Sequence, residues 1–150
     1  MRYGIITDTH SNLDALEAVM TDMKKQGYDI CVNLGDIVGY GPNPNECLER
    51  VTAESNVNII GNHDEMIDQL IANPSTDLTM INPIAIYGAQ MNANMLNEDS
   101  RKLLRSIIKS ETYSAEDRDV IFAHSTPYYP EKMIYVFGKT DAEDYFFSLG

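Results

Sequence analysis

Four short apolar runs in this chain each stop at a side chain able to hold a cation. Gly4-Ile5-Ile6-Thr7 is followed by Asp8, with His10 two residues further on. Ile30-Cys31-Val32-Asn33-Leu34 is followed by Gly35-Asp36, and Val57-Asn58-Ile59-Ile60 by Gly61-Asn62-His63-Asp64. Val120-Ile121-Phe122-Ala123 is followed by His124. Runs this short, apolar on consecutive positions, read as strands covered on both faces. Helical periodicity separates them. Leu13, Leu16, Val19, Met20 and Met23 predict an amphipathic helix over 13–26, ended by Gly27. Asn43 reads as the cap of a helix with Pro44 in its first position, running to about residue 53. Strand and helix in alternation imply an α/β fold with crossover connections. Ligands of such folds bind beyond the carboxyl ends of the strands, and there Asp8, Asp36, Asn62 and His124 are expected at one edge of one sheet.

The remaining elements follow the same rules. Residues 64–72 predict a short helix stopped at Asn73-Pro74, and Asn82-Pro83 opens another that runs to about residue 96. Residues 99–109 predict a further helix with Leu103, Leu104, Ile107 and Ile108 on its apolar face. A strand is expected over 134–137 and a last helix over 141–149. Glu98-Asp99 and Glu116-Asp117 read as solvated charges. Tyr128 and Tyr129 read as packed loop tyrosines, and Met80, Met91 and Met95 as gap-filling apolar side chains. No internal repeat or linker interrupts the chain, so a single domain over 1–150 is expected.

Each candidate ligand taken singly has a plain structural reading. Asp8 could cap a helix, Gly35-Asp36 could be a turn, His63 could sit at the surface and His124 could be a satisfied core histidine. Four strand ends carrying ligand types together point to a common site. Gathered carboxylates repel one another unless a cation lies among them. Imidazole beside carboxylate and amide suits Mn²⁺, Fe or Zn²⁺ better than Ca²⁺. Gly35 and Gly61 immediately precede ligands, where backbone turns sharply beside an ion.

Composition excludes other classes. The chain has 11 Lys and Arg against 23 Asp and Glu, a net charge of −12. Such a surface disfavours non-specific binding to nucleic acid or anionic lipid. No apolar run approaches the ~18 residues that span a bilayer. Asp8 comes too early for a signal peptide, and Cys31 and Cys47 without one favour a cytoplasmic setting.

Asp8-Thr9-His10, Gly35-Asp36-Ile37-Val38-Gly39, Gly61-Asn62-His63-Asp64 and Ala123-His124 resemble, in order, the signature blocks of the calcineurin-like metallophosphoesterases. The stretch from Gly35 to Pro44 is especially similar to the bacterial and archaeal phosphoesterases of that superfamily. The resemblance covers residues 1 to about 127. It implies a four-layer α/β/β/α sandwich, a helical cap over about 66–110, and two divalent ions, Mn²⁺ first, with Fe, Zn²⁺, Ni²⁺ or Mg²⁺ as alternatives. It implies that Asp8 and His10 hold one metal, that Asn62 and His124 hold the other, and that Asp36 bridges them. His63 is then the catalytic residue, protonating the leaving oxygen or steadying the phosphoryl charge. The implied reaction is attack of a metal-held hydroxide on a phosphomonoester or phosphodiester. A nucleic acid enters only as a nucleotide-like substrate. Asp64 is expected to cap its helix or orient neighbours rather than to act in the reaction.

The family's later Gly-His-x-His block has no counterpart, since His10, His63 and His124 are the only histidines. The expectation is therefore a domain shortened at its C-terminus, with one ligand missing from each metal. Two alternatives follow from that expectation. One is a non-catalytic domain that keeps the fold and partial metal binding. The other is one half of an assembly, completed by another chain or by a homo-oligomer.

Overall fold

The computed structural model describes residues 1–115, 118–127, 134, 136, 138, 139, 142 and 143. The strand expected over 134–137, the helix over 141–149, Tyr128, Tyr129 and Glu116-Asp117 lie wholly or mostly outside these residues. Three parallel strands form the first sheet: β1 (Tyr3–Ile6), β2 (Ile30–Asn33) and β3 (Val57–Asn58), in the order β1-β2-β3. Tyr3 lies opposite Ile30, Ile6 opposite Asn33, and Val32 opposite Val57. Each crossover carries a helix, α1 (Leu13–Gln26) and α2 (Pro44–Glu54), as alternating periodicity predicts.

The helix ends follow from local chemistry. Asn12 caps α1 by accepting the Ala15 N–H at 3.1 Å, and Gly27 ends it with φ +75°, a left-handed conformation that costs glycine little. Asn43 stands at the cap of α2 but its side chain makes no cap bond; Pro44, which has no N–H to satisfy, follows it. Then come α3 (Asn62–Ala72), α4 (Pro83–Met95) and α5 (Glu98–Ser106). Asn82 and Asn97 cap the last two through the N–H groups of Ile84 and Ser100, both at 2.9 Å.

Two expectations are corrected here. The helix over 99–109 stops at Ser106, and Ile107 and Ile108 turn away from it. Ile108 bridges Ile59 in parallel, and its carbonyl accepts the Ile60 N–H at 2.8 Å. Ile107 closes the helix through its N–H to Leu104, and Ile108 extends the sheet edge at β3, where it gains backbone partners that a fraying helix end lacks. The second correction concerns the strand before His124. It is not a fourth strand of the parallel sheet. It is β5 (Arg118–Ala123), paired antiparallel with β4 (Ser110–Ala115) in a separate sheet, and Ser110 lies opposite Ala123.

The two sheets and the helices form layers. On one face of the parallel sheet, Ile6 packs with Leu16, Met20, Leu48, Val51, Ile67 and Leu104 from the helices. On the other, Val32, Val57 and Ile59 pack with Phe122 of β5, whose ring meets Tyr3 edge-on at 5.6 Å. The hairpin packs on β2 and β3 and reaches Tyr3 of β1, while Ile5 of β1 is half-exposed. No helix among the described residues is long and apolar enough to cross a membrane.

Cys31 and Cys47 are free and fully buried. Burial pushes the Cys47 thiol up to about 12, with Glu46 adding to the effect, and raises that of Cys31. Neither thiol should react with a disulfide reagent in the folded chain, and both should react in denaturant. Thiol titration with and without denaturant checks this.

Candidate metal centre

The loops after β1 and β2 run side by side, joined by backbone hydrogen bonds. Asp8 N–H donates to the Gly35 carbonyl at 3.0 Å, His10 N–H to Asp36 at 2.9 Å and Ser11 N–H to Ile37 at 2.8 Å. This ladder requires unusual backbone. Asp8, His10, Ser11, Asp36 and Tyr40 all have φ between 48° and 55°, and among the described residues they are the non-glycine residues with positive φ. Each such residue costs on the order of 1–3 kcal/mol and persists only where its surroundings over-determine it. All five lie in the two loops that carry the expected ligands.

Asp36 is buried at the centre. Its Oδ1 accepts the His63 N–H of α3 at 2.9 Å. Its Oδ2 lies 3.8 Å from His10 Nε2 and 3.7 Å from His124 Nε2. His10 Nε2 is also 3.6 Å from Asp8 Oδ1, and His124 Nε2 is 3.1 Å from Asn62 Oδ1. One carboxylate oxygen therefore stands between two groups of donors, Asp8 with His10 and Asn62 with His124. His124 arrives from the second sheet, and its Nδ1 meets the Leu34 carbonyl at 2.6 Å, which orients the ring.

Asp8, His10, Asp36, Asn62 and His124 are thus brought together, and His63 stands beside them. Its ring lies 4.8 Å from that of His10, and His10, Asp36 and His63 offer ligand atoms all within 4.8 Å of one another. His63 Nδ1 is buried with no hydrogen-bond partner among the described residues. Burial, reinforced by His10, lowers the His63 ring to about 4. Burial pushes the Asp36 carboxyl up to about 6, against the opposing pull of His124 and of the His63 N–H. An orphaned imidazole nitrogen beside a buried carboxylate that resists ionising is the electrostatic state a cation relieves. The donor set of imidazole, carboxylate and amide fits a divalent transition metal.

Asp64 is the mirror of Asp36. It is fully buried on the first turn of α3, and its oxygens accept Val38 N–H at 3.0 Å and Gly61 N–H at 2.9 Å. Asp36 thus binds α3 from the β2 loop while Asp64 binds the β2 loop from α3. The close approach needs glycine: a Cβ on Gly61 would sit 2.1 Å from Asp36 Oδ1 and 2.3 Å from its backbone nitrogen. The cap role expected for Asp64 holds, and its reach to Val38 extends it.

Sequence reasoning missed Tyr40 and Asn92. Tyr40 packs on both imidazoles, with its centroid 4.9 Å from that of His10 and 4.8 Å from that of His63. Asn92 is fully buried in the middle of α4. The legible signal was an asparagine, a weak helix former, one turn on from Gly88 and in line with Ala85, Ala89 and Leu96 on the buried face.

Comparison with known proteins follows the same line. A family model described as calcineurin-like phosphoesterase matches residues 1–150. An uncharacterised protein of Methanocaldococcus jannaschii is 34% identical over 134 residues, covering 89% of this chain and 53% of that protein. The chain spans about half the length of this curated relative. A metallophosphoesterase from Sphaerobacter thermophilus aligns with a TM-score of 0.58 and 38% identity, over 74% of this chain and 42% of that one. A hypothetical protein from Pyrococcus horikoshii aligns with a TM-score of 0.74 and 18% identity, over 99% and 65% of the respective chains; at that identity the likeness is one of fold.

Asp64→Ala should lower stability by about 3 kcal/mol, because it leaves two buried N–H groups unpaired at roughly 1–3 kcal/mol each. Denaturant unfolding checks this, and a loss under about 0.5 kcal/mol would place little weight on the bonds to Val38 and Gly61.

Proposed function

Because the chain belongs to the calcineurin-like phosphoesterase family, we propose that it hydrolyses a phosphomonoester or phosphodiester at a two-metal centre built around Asp36. The observation that carries this reading is the position of Asp36 Oδ2 between His10 at 3.8 Å and His124 at 3.7 Å, with a second donor beside each. In this reading Asp8 and His10 would hold one divalent ion and Asn62 and His124 the other, and Asp36 would contribute to both. Mn²⁺ is the first choice. Two such ions, when bound, supply Lewis acidity and a lowered pKa for bound water.

The chain's own residues do the rest. The backbone ladder from Asp8 to Ser11 keeps the ligands in place before any ion arrives, so little reorganisation opposes binding. His63 is proposed to face the phosphoryl group. Its ring is held neutral at pH 7 by burial beside His10, so as it stands it offers one N–H to a phosphoryl or leaving oxygen rather than a positive charge. Asp64 keeps His63 in place by fixing the first turn of α3. Residues 66–110 are proposed to form the helical side of the substrate cleft within a single domain. A net charge of −12 admits a phosphoester only where cations offset it.

Incubated with Mn²⁺, the chain should hydrolyse p-nitrophenyl phosphate or bis-p-nitrophenyl phosphate and lose that activity in chelator. Asp36→Asn should lower the rate about 100-fold or more, because the shared ligand serves both ions. His63→Gln should keep the bound Mn²⁺ and lower kcat by about 100-fold. A His63→Gln chain that loses its ions would make His63 a ligand instead. Hydrolysis that survives Asp36→Asn would overturn the reading.

A further inference from the structure

We propose that Gly88 and Asn92, one turn apart on α4, form a clamp that positions the metal-site loops, so that α4 is part of the centre's framework. This inference rests on the functional reading above only for its consequence in metal binding.

The clamp grips residues 39–41. Asn92 Oδ1 accepts the Gly39 N–H at 2.9 Å, and Asn92 Nδ2 donates to the Gly41 carbonyl at 2.9 Å. The same Oδ1 accepts the Ser11 hydroxyl at 2.6 Å. A single buried amide therefore ties the β1 loop to the β2 loop. Three of its hydrogen-bonding sites are filled, so it takes one orientation. Gly88 lets the helix backbone come close. A Cβ there would sit 2.8 Å from Tyr40 N and 2.9 Å from Tyr40 Cα.

Between these two contacts lies a left-handed stretch of the β2 loop. Gly39 has φ +113° and Tyr40 has φ +53°. Left to itself, Tyr40 favours negative φ. In the clamp its ring is laid against His10 and His63. Gly39 itself sits where a Cβ would lie 3.1 Å from His63 Nδ1 and 3.3 Å from His10 Nδ1. Loosening residues 39–41 therefore frees both imidazoles at once. Asn92 touches neither, so it is a positioning residue, acting through Gly39, Gly41 and Ser11.

Amide hydrogen exchange by NMR and Mn²⁺ titration by EPR test the clamp in the full chain. Three variants suffice: Asn92→Ala, Gly88→Ala, and Gln90→Gly as a control that weakens the same helix from its exposed face. In Asn92→Ala and Gly88→Ala the Gly39 and Gly41 amides should exchange about tenfold faster or more, while β2 amides keep the parent rate. The Mn²⁺ Kd should rise about tenfold or more in both. Gln90→Gly should leave loop exchange and Kd within about twofold of the parent, because it touches neither loop. Parent-like exchange at Gly39 and Gly41 in both clamp variants would overturn the proposal. So would an equal loosening in Gln90→Gly, which would reduce the effect to general helix stability. A parent chain that takes up no Mn²⁺ would contradict the functional reading, and the exchange rates alone would then decide the clamp.

Discussion

Two buried aspartates exchange hydrogen bonds across the carboxyl end of the parallel sheet, and the site depends on that exchange. Asp36, in the loop after β2, takes the His63 N–H of α3. Asp64, on α3, takes the Val38 N–H of that loop and the Gly61 N–H of its own cap. Each carboxylate satisfies backbone donors that a loop or a helix start otherwise leaves unpaired. Both are buried, and burial raises both carboxyls to about 6. Asp64 spends both oxygens on backbone, whereas Asp36 keeps one oxygen turned toward the imidazoles of His10 and His124. The first is committed to the fold, and the second has an oxygen that no backbone group takes among the described residues.

The cost of this arrangement is visible in the backbone. Five non-glycine residues in left-handed conformations lie within two loops, and a domain stable by roughly 5–15 kcal/mol cannot carry that strain without compensation. The compensation is local: the ladder between the loops, the reciprocal aspartates, and the Gly88 and Asn92 contacts from α4. Strain held in this way favours rigid donors over adaptable ones. Rigidity suits a centre whose donors must stand ready before an ion binds.

Much of this was legible in the sequence, and for physical reasons. Strand ends followed by Asp, Asn or His announce themselves because parallel strands are apolar throughout and their ligands lie just beyond. Helices α1 to α4 were marked by starts and breakers such as Gly27, Asn43-Pro44, Asn73-Pro74 and Asn82-Pro83. Strand β4 was not, because Ser110-Glu111-Thr112-Tyr113-Ser114 has no apolar alternation to read. Missing β4 placed β5 in the wrong sheet, and with it the origin of His124. Ile107 and Ile108 fit a helical period and also a strand, and only the open edge at Ile59 decides between them. Asn92 acts over 53 residues to Gly39 and 81 to Ser11, a separation at which no local pattern speaks. Asp64 was legible as a cap, but its bond to Val38 depends on how α3 meets the β2 loop.

The central claim is that Asp36 stands between two half-sites and serves both. Elemental analysis of the purified chain, equilibrated with Mn²⁺ and freed of excess, tests it most directly. Two ions per chain is the result expected of Asp8 with His10 on one side and Asn62 with His124 on the other. One ion per chain, or none, would contradict a shared centre and leave Asp36 as a buried carboxylate that only orders its loops.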